Sequence, residues 1–151
     1  MSTTSIIPNP RYRRSDLVKF PHFGVGDAEI FSKFLLSTAA DKYVGFDYDI
    51  KVGAYALESV SNPTPKARLE AGTLAKRIDA VGFINSTTLD IIEVKANKIH
   101  SALGQILAYN ELFKTTYPIL KINDLIIITA FDDPELVRFA RSFGVKVFII
   151  P

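Results

Sequence analysis

Apolar residues recur along this chain in two rhythms, and the change from one to the other marks out its elements. Between residues 27 and 40, Ile30, Phe31, Phe34, Leu35 and Thr38 fall at helical spacing on one face, and Asp27 stands where a capping carboxylate is useful. A first strand is predicted over Tyr43–Val52. A loop follows from Ser59 to Ala71. Its Asn62-Pro63-Thr64-Pro65 run cannot donate to a sheet ladder, and it carries Lys66 and Arg68. Residues 74–84 and 88–95 read as two strands joined by Asn85-Ser86-Thr87, a link short enough for a hairpin. Residues 99–115 form the clearest helix, with Ile99, Leu103, Ile106, Leu107 and Phe113 on its apolar face.

The remainder reads strand (Asp124–Ala130), helix (Pro134–Phe143), strand (Val145–Ile150). Asp132-Asp133-Pro134 is a helix start and Gly144 a helix stop. Both closing strands are continuously apolar, as in strands buried on two faces, and the strand–helix–strand order implies a parallel pair. The predicted architecture is α/β: a mixed sheet of about five strands flanked by helices, in one domain over residues 22–151. Residues 1–21, with Pro8, Pro10 and Pro21 and the cluster Arg11, Arg13 and Arg14 around Tyr12, read as an N-terminal arm. A solvated tail is the plainer reading of this arm, and a phosphate-contacting arm the sharper one.

Composition narrows the possibilities. The chain has 151 residues, 48% of them hydrophobic, which suffices for one ordinary core and argues against disorder. A net charge of +2 is compatible with a polyanionic partner without demanding one. The absence of cysteine excludes disulfides, thiolate zinc sites and iron–sulfur clusters, and fits a reducing cytoplasm. Met1 to Pro10 hold no apolar run of signal-peptide type, and Leu125–Ala130 is too short to span a bilayer. A soluble, cytoplasmic protein is expected. No glycine-rich loop with Lys-Ser/Thr and no Ser-His-Asp arrangement is visible, and His22 and His100 lack metal-ligand spacing.

The chemistry concentrates in Lys76-Arg77-Ile78-Asp79-Ala80-Val81 and Leu89-Asp90-Ile91-Ile92-Glu93-Val94-Lys95. Alternation puts Glu93 and Lys95 on one face of their strand and turns Asp90 away. A hairpin centred on Ser86 sets Asp79 directly opposite Glu93, whereas a shift of one residue would send Asp79 to the other face. Two carboxylates about 5 Å apart at the Cβ level can share a hard divalent cation. A solvated face with a simple Lys95 salt bridge is the bland alternative. Behind this strand, Gln105 and Tyr109 project from the same side of the 99–115 helix, toward the end where Lys95 sits. Tyr109 alone would more often be a packing residue.

The set Asp79, Glu93-Val94-Lys95 and Gln105-Ile106-Leu107-Ala108-Tyr109 resembles the PD-(D/E)XK nuclease superfamily, and within it the branch with a Gln-x-x-x-Tyr motif that includes RecB-type nucleases and the nuclease domain of type I restriction-enzyme motor subunits. The local match spans about residues 75–113. The resemblance implies a restriction-endonuclease-like fold. It implies Asp79 and Glu93 as ligands of Mg2+ or Mn2+, with the Val94 carbonyl as a third, Lys95 acting on the attacking water, and Gln105 and Tyr109 positioning the site or the nucleic acid. The family often carries a further acidic residue on its first helix. Glu29 is the candidate ligand by type and place, although it can also pair with Lys33, and Asp27 is its rival nearer the apolar face. One departure is that Arg77-Ile78, not a proline, precedes Asp79.

The expected activity is metal-dependent hydrolysis of DNA phosphodiester bonds, as an endonuclease of restriction, recombination, repair or mobile-element type. Lys76, Arg77, Lys98, Lys66 and Arg68 are the expected backbone contacts. Double-strand cleavage would call for two sites, hence a homodimer or larger assembly. The rivals are a catalytically inactive nucleic-acid-binding module of the same fold, and a structural subunit using its apolar helix faces.

Overall fold

The computed structural model describes residues 7–16, 23–53, 56, 76–97 and 99–151. It is an α/β protein with one five-stranded mixed sheet. The strands are β1 (Gly45–Val52), β2 (Lys76–Phe83), β3 (Thr88–Val94), β4 (Lys121–Thr129) and β5 (Val145–Ile149), arranged in chain order. The first three run antiparallel, and β3, β4 and β5 are mutually parallel. Three helices flank the sheet among the described residues: α1 (Val25–Leu35), α2 (Ile99–Thr116) and α3 (Pro134–Ser142). None of them is long and apolar enough to cross a membrane.

Strand alternation divides the core into two layers. Leu89 and Ile91 of β3 and Leu125 and Ile127 of β4 pack under α2 and α3, against Ile99, Leu103, Ile106, Phe113 and Val137. Ile92, Val94, Ile126 and Ile128 point the other way, toward Ile30, Phe31 and Phe34 of α1. A mixed sheet with helices on both faces must be apolar on both sides at its centre, which accounts for the unbroken apolar run of β4. The parallel run of β5 is different. It lies at the sheet edge, and Val147, Phe148 and Ile149 are half-buried, because an edge strand has a neighbour on one side alone.

Several boundaries differ from the expected ones for local reasons. The first helix stops at Leu35 instead of running to residue 40, because the Ser37 hydroxyl donates to the Phe34 carbonyl at 2.6 Å and diverts that group from the helical ladder. Thr38 therefore lies exposed in a separate 3-10 turn, Thr38–Ala40, and joins no apolar face. Gly24, not Asp27, occupies the N-cap, and the Asp27 carboxylate is used elsewhere. The third helix begins as expected, with the Asp133 side chain accepting from Leu136 N–H at 3.2 Å and Pro134 in the first turn. Gly144 follows its end with φ +77°, a left-handed conformation that glycine adopts without steric cost.

The described part of the N-terminal arm is not a free tail. Tyr12 and Phe46 exchange backbone hydrogen bonds at 3.0 and 2.7 Å, so the arm lies along the outer edge of β1. An unpaired strand edge has donors and acceptors to satisfy, and the arm supplies them. Arg11 stands 3.7 Å from Asp47, Arg14 bonds Asp41 at 2.6 Å, and Arg13 pairs with Asp16. The basic cluster is thus engaged with the protein's own carboxylates.

A buried polar knot fixes the start of β4. The register between β3 and β4 shifts between Leu89 and Ile91, so the ladder is interrupted beside Asp90. The fully buried Asp90 carboxylate repairs the interruption. It accepts from Asp124 N–H at 2.9 Å and Asn123 Nδ2 at 3.0 Å, and also from Tyr43 Oη and Lys42 Nζ, both at 2.7 Å. Tyr43 reaches it by lying across Gly82, where any side chain would collide with the ring. Burial, with the Asp90 charge adding to it, pushes the Tyr43 phenol far above its ordinary range, so it remains a donor. Replacing Asp90 by Ala strands the buried Tyr43 hydroxyl and the half-buried Asp124 N–H together. The expected loss of stability is about 3 kcal/mol, read from urea unfolding with an unchanged slope. A loss within ~0.5 kcal/mol, the scale of an ordinary surface substitution, would mean the knot is dispensable.

Candidate metal centre and its pocket

The β2–β3 hairpin determines which side chains meet. Its register pairs Ala80 with Ile92, Val81 with Ile91 and Phe83 with Leu89, and one step further brings Asp79 level with Glu93. Both side chains turn to the α2 face, that of Val81 and Ile91. Each carboxylate reaches across to the other strand's backbone. Glu93 Oε1 accepts from Asp79 N–H at 3.2 Å, and Asp79 Oδ2 accepts from Val94 N–H at 2.9 Å. These reciprocal bonds take the place of ladder bonds where the two strands begin to separate.

Glu93 is 2% exposed and Asp79 half-buried. Burial pushes both carboxyls above the usual carboxylate range. For Glu93 the neighbouring Asp79 charge raises it further, since two like charges this close resist ionising together. Lys95 attracts both ionised forms and offsets part of that cost. The pair therefore holds a proton more tightly than two solvated acids would, which is the electrostatic position of a site that a cation would relieve.

A pocket opens in front of the pair. Asp79, Glu93, Val94 and Lys95 form its floor. Gln105 and Tyr109 of α2 form one wall, and Lys76, Arg77 and Asp27 complete the lining. The position of Gln105 and Tyr109 follows from the short connection between β3 and α2, which keeps the helix over the end of the strand it leaves. Tyr109 is half-buried, and burial with the charges of Glu93 and Asp79 pushes its phenol up to about 12. It is thus a hydrogen-bond donor throughout the neutral range. Arg77 bonds Asp49 at 2.6 Å and so enters the pocket wall with a defined orientation, while Lys76 is exposed.

Of the expected residues, Asp79, Glu93, Val94, Lys95, Gln105, Tyr109, Lys76 and Arg77 are gathered here. Glu29 is not. It is an exposed residue of α1 that pairs with Lys33 at 3.5 Å, because the helical turn carries it away from the sheet, and Asp27 lines the pocket in its stead. Lys66, Arg68 and Lys98 lie outside the described residues. Asp90 faces the opposite side from Glu93, as alternation requires. What the residue pattern did not reveal is the bond from Asp27 to Ala96 N–H, whose partners are far apart in the chain.

The donor set is oxygen throughout, which suits magnesium or manganese. Among the described residues no three acidic or histidine side chains converge as a metal cluster. Asp79, Glu93 and the Val94 carbonyl would hold such a cation with water completing its shell, as magnesium commonly accepts. Comparison of the chain with protein-family models, with curated proteins and with solved structures found no match.

The raised carboxyls have a consequence for stability. Their unfolded values lie near 4, so above that pH the native metal-free protein binds more protons than the unfolded chain. Stability contributed by the protonated pair is then lost as pH rises through the raised values. Glu93→Gln keeps an acceptor for Asp79 N–H and mimics the protonated acid. At pH 8 in chelator it is expected to raise stability by about 1–2 kcal/mol, a few degrees in melting temperature, with a smaller gain at pH 5. A variant that melts below wild type at pH 8 would contradict the electrostatic account.

Proposed function

We propose that the protein is a metal-dependent nuclease that hydrolyses DNA phosphodiester bonds, with a restriction-endonuclease-like arrangement of its mixed sheet. The observation that carries this reading is the Asp79–Glu93 pair, Glu93 buried and Asp79 half-buried, set with Lys95 on the floor of a pocket whose remaining walls offer Lys76, Arg77, Gln105 and Tyr109. A surface ion pair would not need this burial, and a purely structural buried acid would be saturated by donors, as Asp90 is.

The chain's own groups divide the work. Asp79, Glu93 and the Val94 carbonyl would bind Mg2+ or Mn2+, which when bound supplies neutralisation of phosphate charge and acidification of water. Lys95 places a positive charge beside the carboxylates, where it can orient an attacking water and stabilise the charge that grows on the phosphoryl oxygens. Gln105 can donate from its amide and accept at its carbonyl, fixing that water or a phosphate oxygen. Tyr109, kept protonated, donates to the same region or stacks on a base. Lys76 and Arg77 at the pocket edge favour a polyanionic backbone and would hold it without reading sequence. The superfamily with the Gln-x-x-x-Tyr motif, which the residue pattern resembles, unites these roles in one site.

Supercoiled plasmid with magnesium tests the reading. Wild type is expected to nick or linearise it, chelator to stop the reaction, and Asp79→Ala to abolish it. Lys95→Ala should remain folded and lose about 100-fold in rate, the scale of a missing positioned charge or proton donor. DNA binding without cutting in magnesium and manganese would instead support the inactive binding module. No metal-dependent DNA affinity at all would support the structural subunit.

A further inference from the structure

Asp27 lines the pocket, and one of its carboxylate oxygens is bonded to the backbone. Oδ1 accepts from Ala96 N–H at 2.7 Å, across 69 positions of sequence. Ala96 is the residue immediately after Lys95. Its carbonyl is gripped from the other side, by Ala130 N–H at 3.2 Å and by the Thr129 hydroxyl at 3.3 Å. Lys95 is itself tied to β4 through its N–H on the Ile128 carbonyl at 2.9 Å. The first turn of α1 sits hard against this point, since a Cβ on Gly26 would lie 3.3 Å from the Ala96 methyl.

β3 ends at Val94, so Lys95 and Ala96 lie beyond the strand that presents Glu93. Among the described residues no backbone hydrogen bond ties them to the β2–β3 hairpin, whose pairing ends at Ala80 and Ile92. They are fixed by β4 on one side and Asp27 on the other. Asp27 reaches the pocket from α1, whereas Asp79 and Glu93 come from the β2–β3 hairpin. Consistent with this, Asp27 does not complete a three-carboxylate cluster with them.

We propose that Asp27 is a positioning residue for Lys95, acting through the Ala96 N–H, and not a metal ligand. This rests on the nuclease reading for its effect on rate, while the clamp itself is a property of the fold. The two roles demand different things of the side chain. A clamp needs one acceptor oxygen, which Asn supplies. A ligand needs the negative charge, which Asn lacks.

The experiment compares Asp27→Asn and Asp27→Ala with wild type in plasmid cleavage, titrating magnesium. Asp27→Ala is expected to lower the rate at saturating magnesium by about tenfold or more, the scale of a displaced catalytic group, with the half-saturating magnesium concentration unchanged. Asp27→Asn should recover the rate to within about threefold of wild type, as the acceptor is retained. Equal loss in both variants with a raised magnesium requirement would overturn the proposal in favour of a ligand. Wild-type rates in both would overturn it by showing that the clamp is idle. Amide hydrogen exchange at Ala96 is read in parallel and needs no activity. Faster exchange in Asp27→Ala but not in Asp27→Asn supports the clamp, and unchanged exchange in both removes it. If wild type does not cleave and the exchange pattern holds, the nuclease reading fails while the clamp stands.

Discussion

Two carboxylates are forced together by the register of one hairpin, and most of what is unusual about this protein follows from that constraint. Asp79 and Glu93 come from adjacent antiparallel strands, on the same face, at the same level. A slip of one residue would place Asp79 among the apolar side chains under α1 and scatter the site. The hydrophobic pattern prevents such a slip, because it would also expel Val81 and Phe83 from the core beneath α2. Fold stability and site geometry are thus enforced by the same interdigitation of apolar residues.

The sheet pairs strands differently on its two sides, and the site lies where the pairing changes. The antiparallel β2–β3 hairpin presents the acids, and the parallel β3–β4 pair carries the chain on to Lys95. Asp90 and Asp27 secure the two ends of β3 from the α1 side. The first closes the irregular register at the start of β4, and the second holds Ala96 beyond the end of β3. Both are acidic residues serving as acceptors for backbone N–H groups. The contrast with Asp79 and Glu93 lies in what remains after those bonds are made: Asp90 is surrounded by donors, including Lys42, whereas Asp79 and Glu93 lie side by side on the floor of an open pocket. Functional sites are commonly kept at some cost to stability, and an acidic pair that resists ionisation is one form of that cost.

Much of this was legible in the residues because it depends on short-range rules. Alternation places Glu93 and Lys95 together, a three-residue link sets the hairpin register, and i, i+4 spacing aligns Gln105 with Tyr109. Asp133, Pro134 and Gly144 mark the ends of α3 by local backbone chemistry. The differences arise from competing side-chain bonds and long-range packing. The helix expected over residues 27–40 ends at Leu35, where the Ser37 hydroxyl competes for the Phe34 carbonyl. Type and place point to Glu29, whereas the approach of α1 to Ala96 brings Asp27 to the pocket and leaves Glu29 exposed beside Lys33. The docking of the arm on β1 and the role of Asp90 in the β4 irregularity are long-range pairings that no local periodicity encodes.

Locating a bound cation would probe the central claim most directly. Crystals grown with manganese and measured at the manganese absorption edge should show an anomalous peak about 2.1 Å from oxygens of Asp79 and Glu93, with the Val94 carbonyl within the same shell. The carboxylates would then have turned from backbone N–H groups toward the ion. A manganese-soaked crystal with no peak at this position, and with both side chains still on the opposing backbone, would contradict the account.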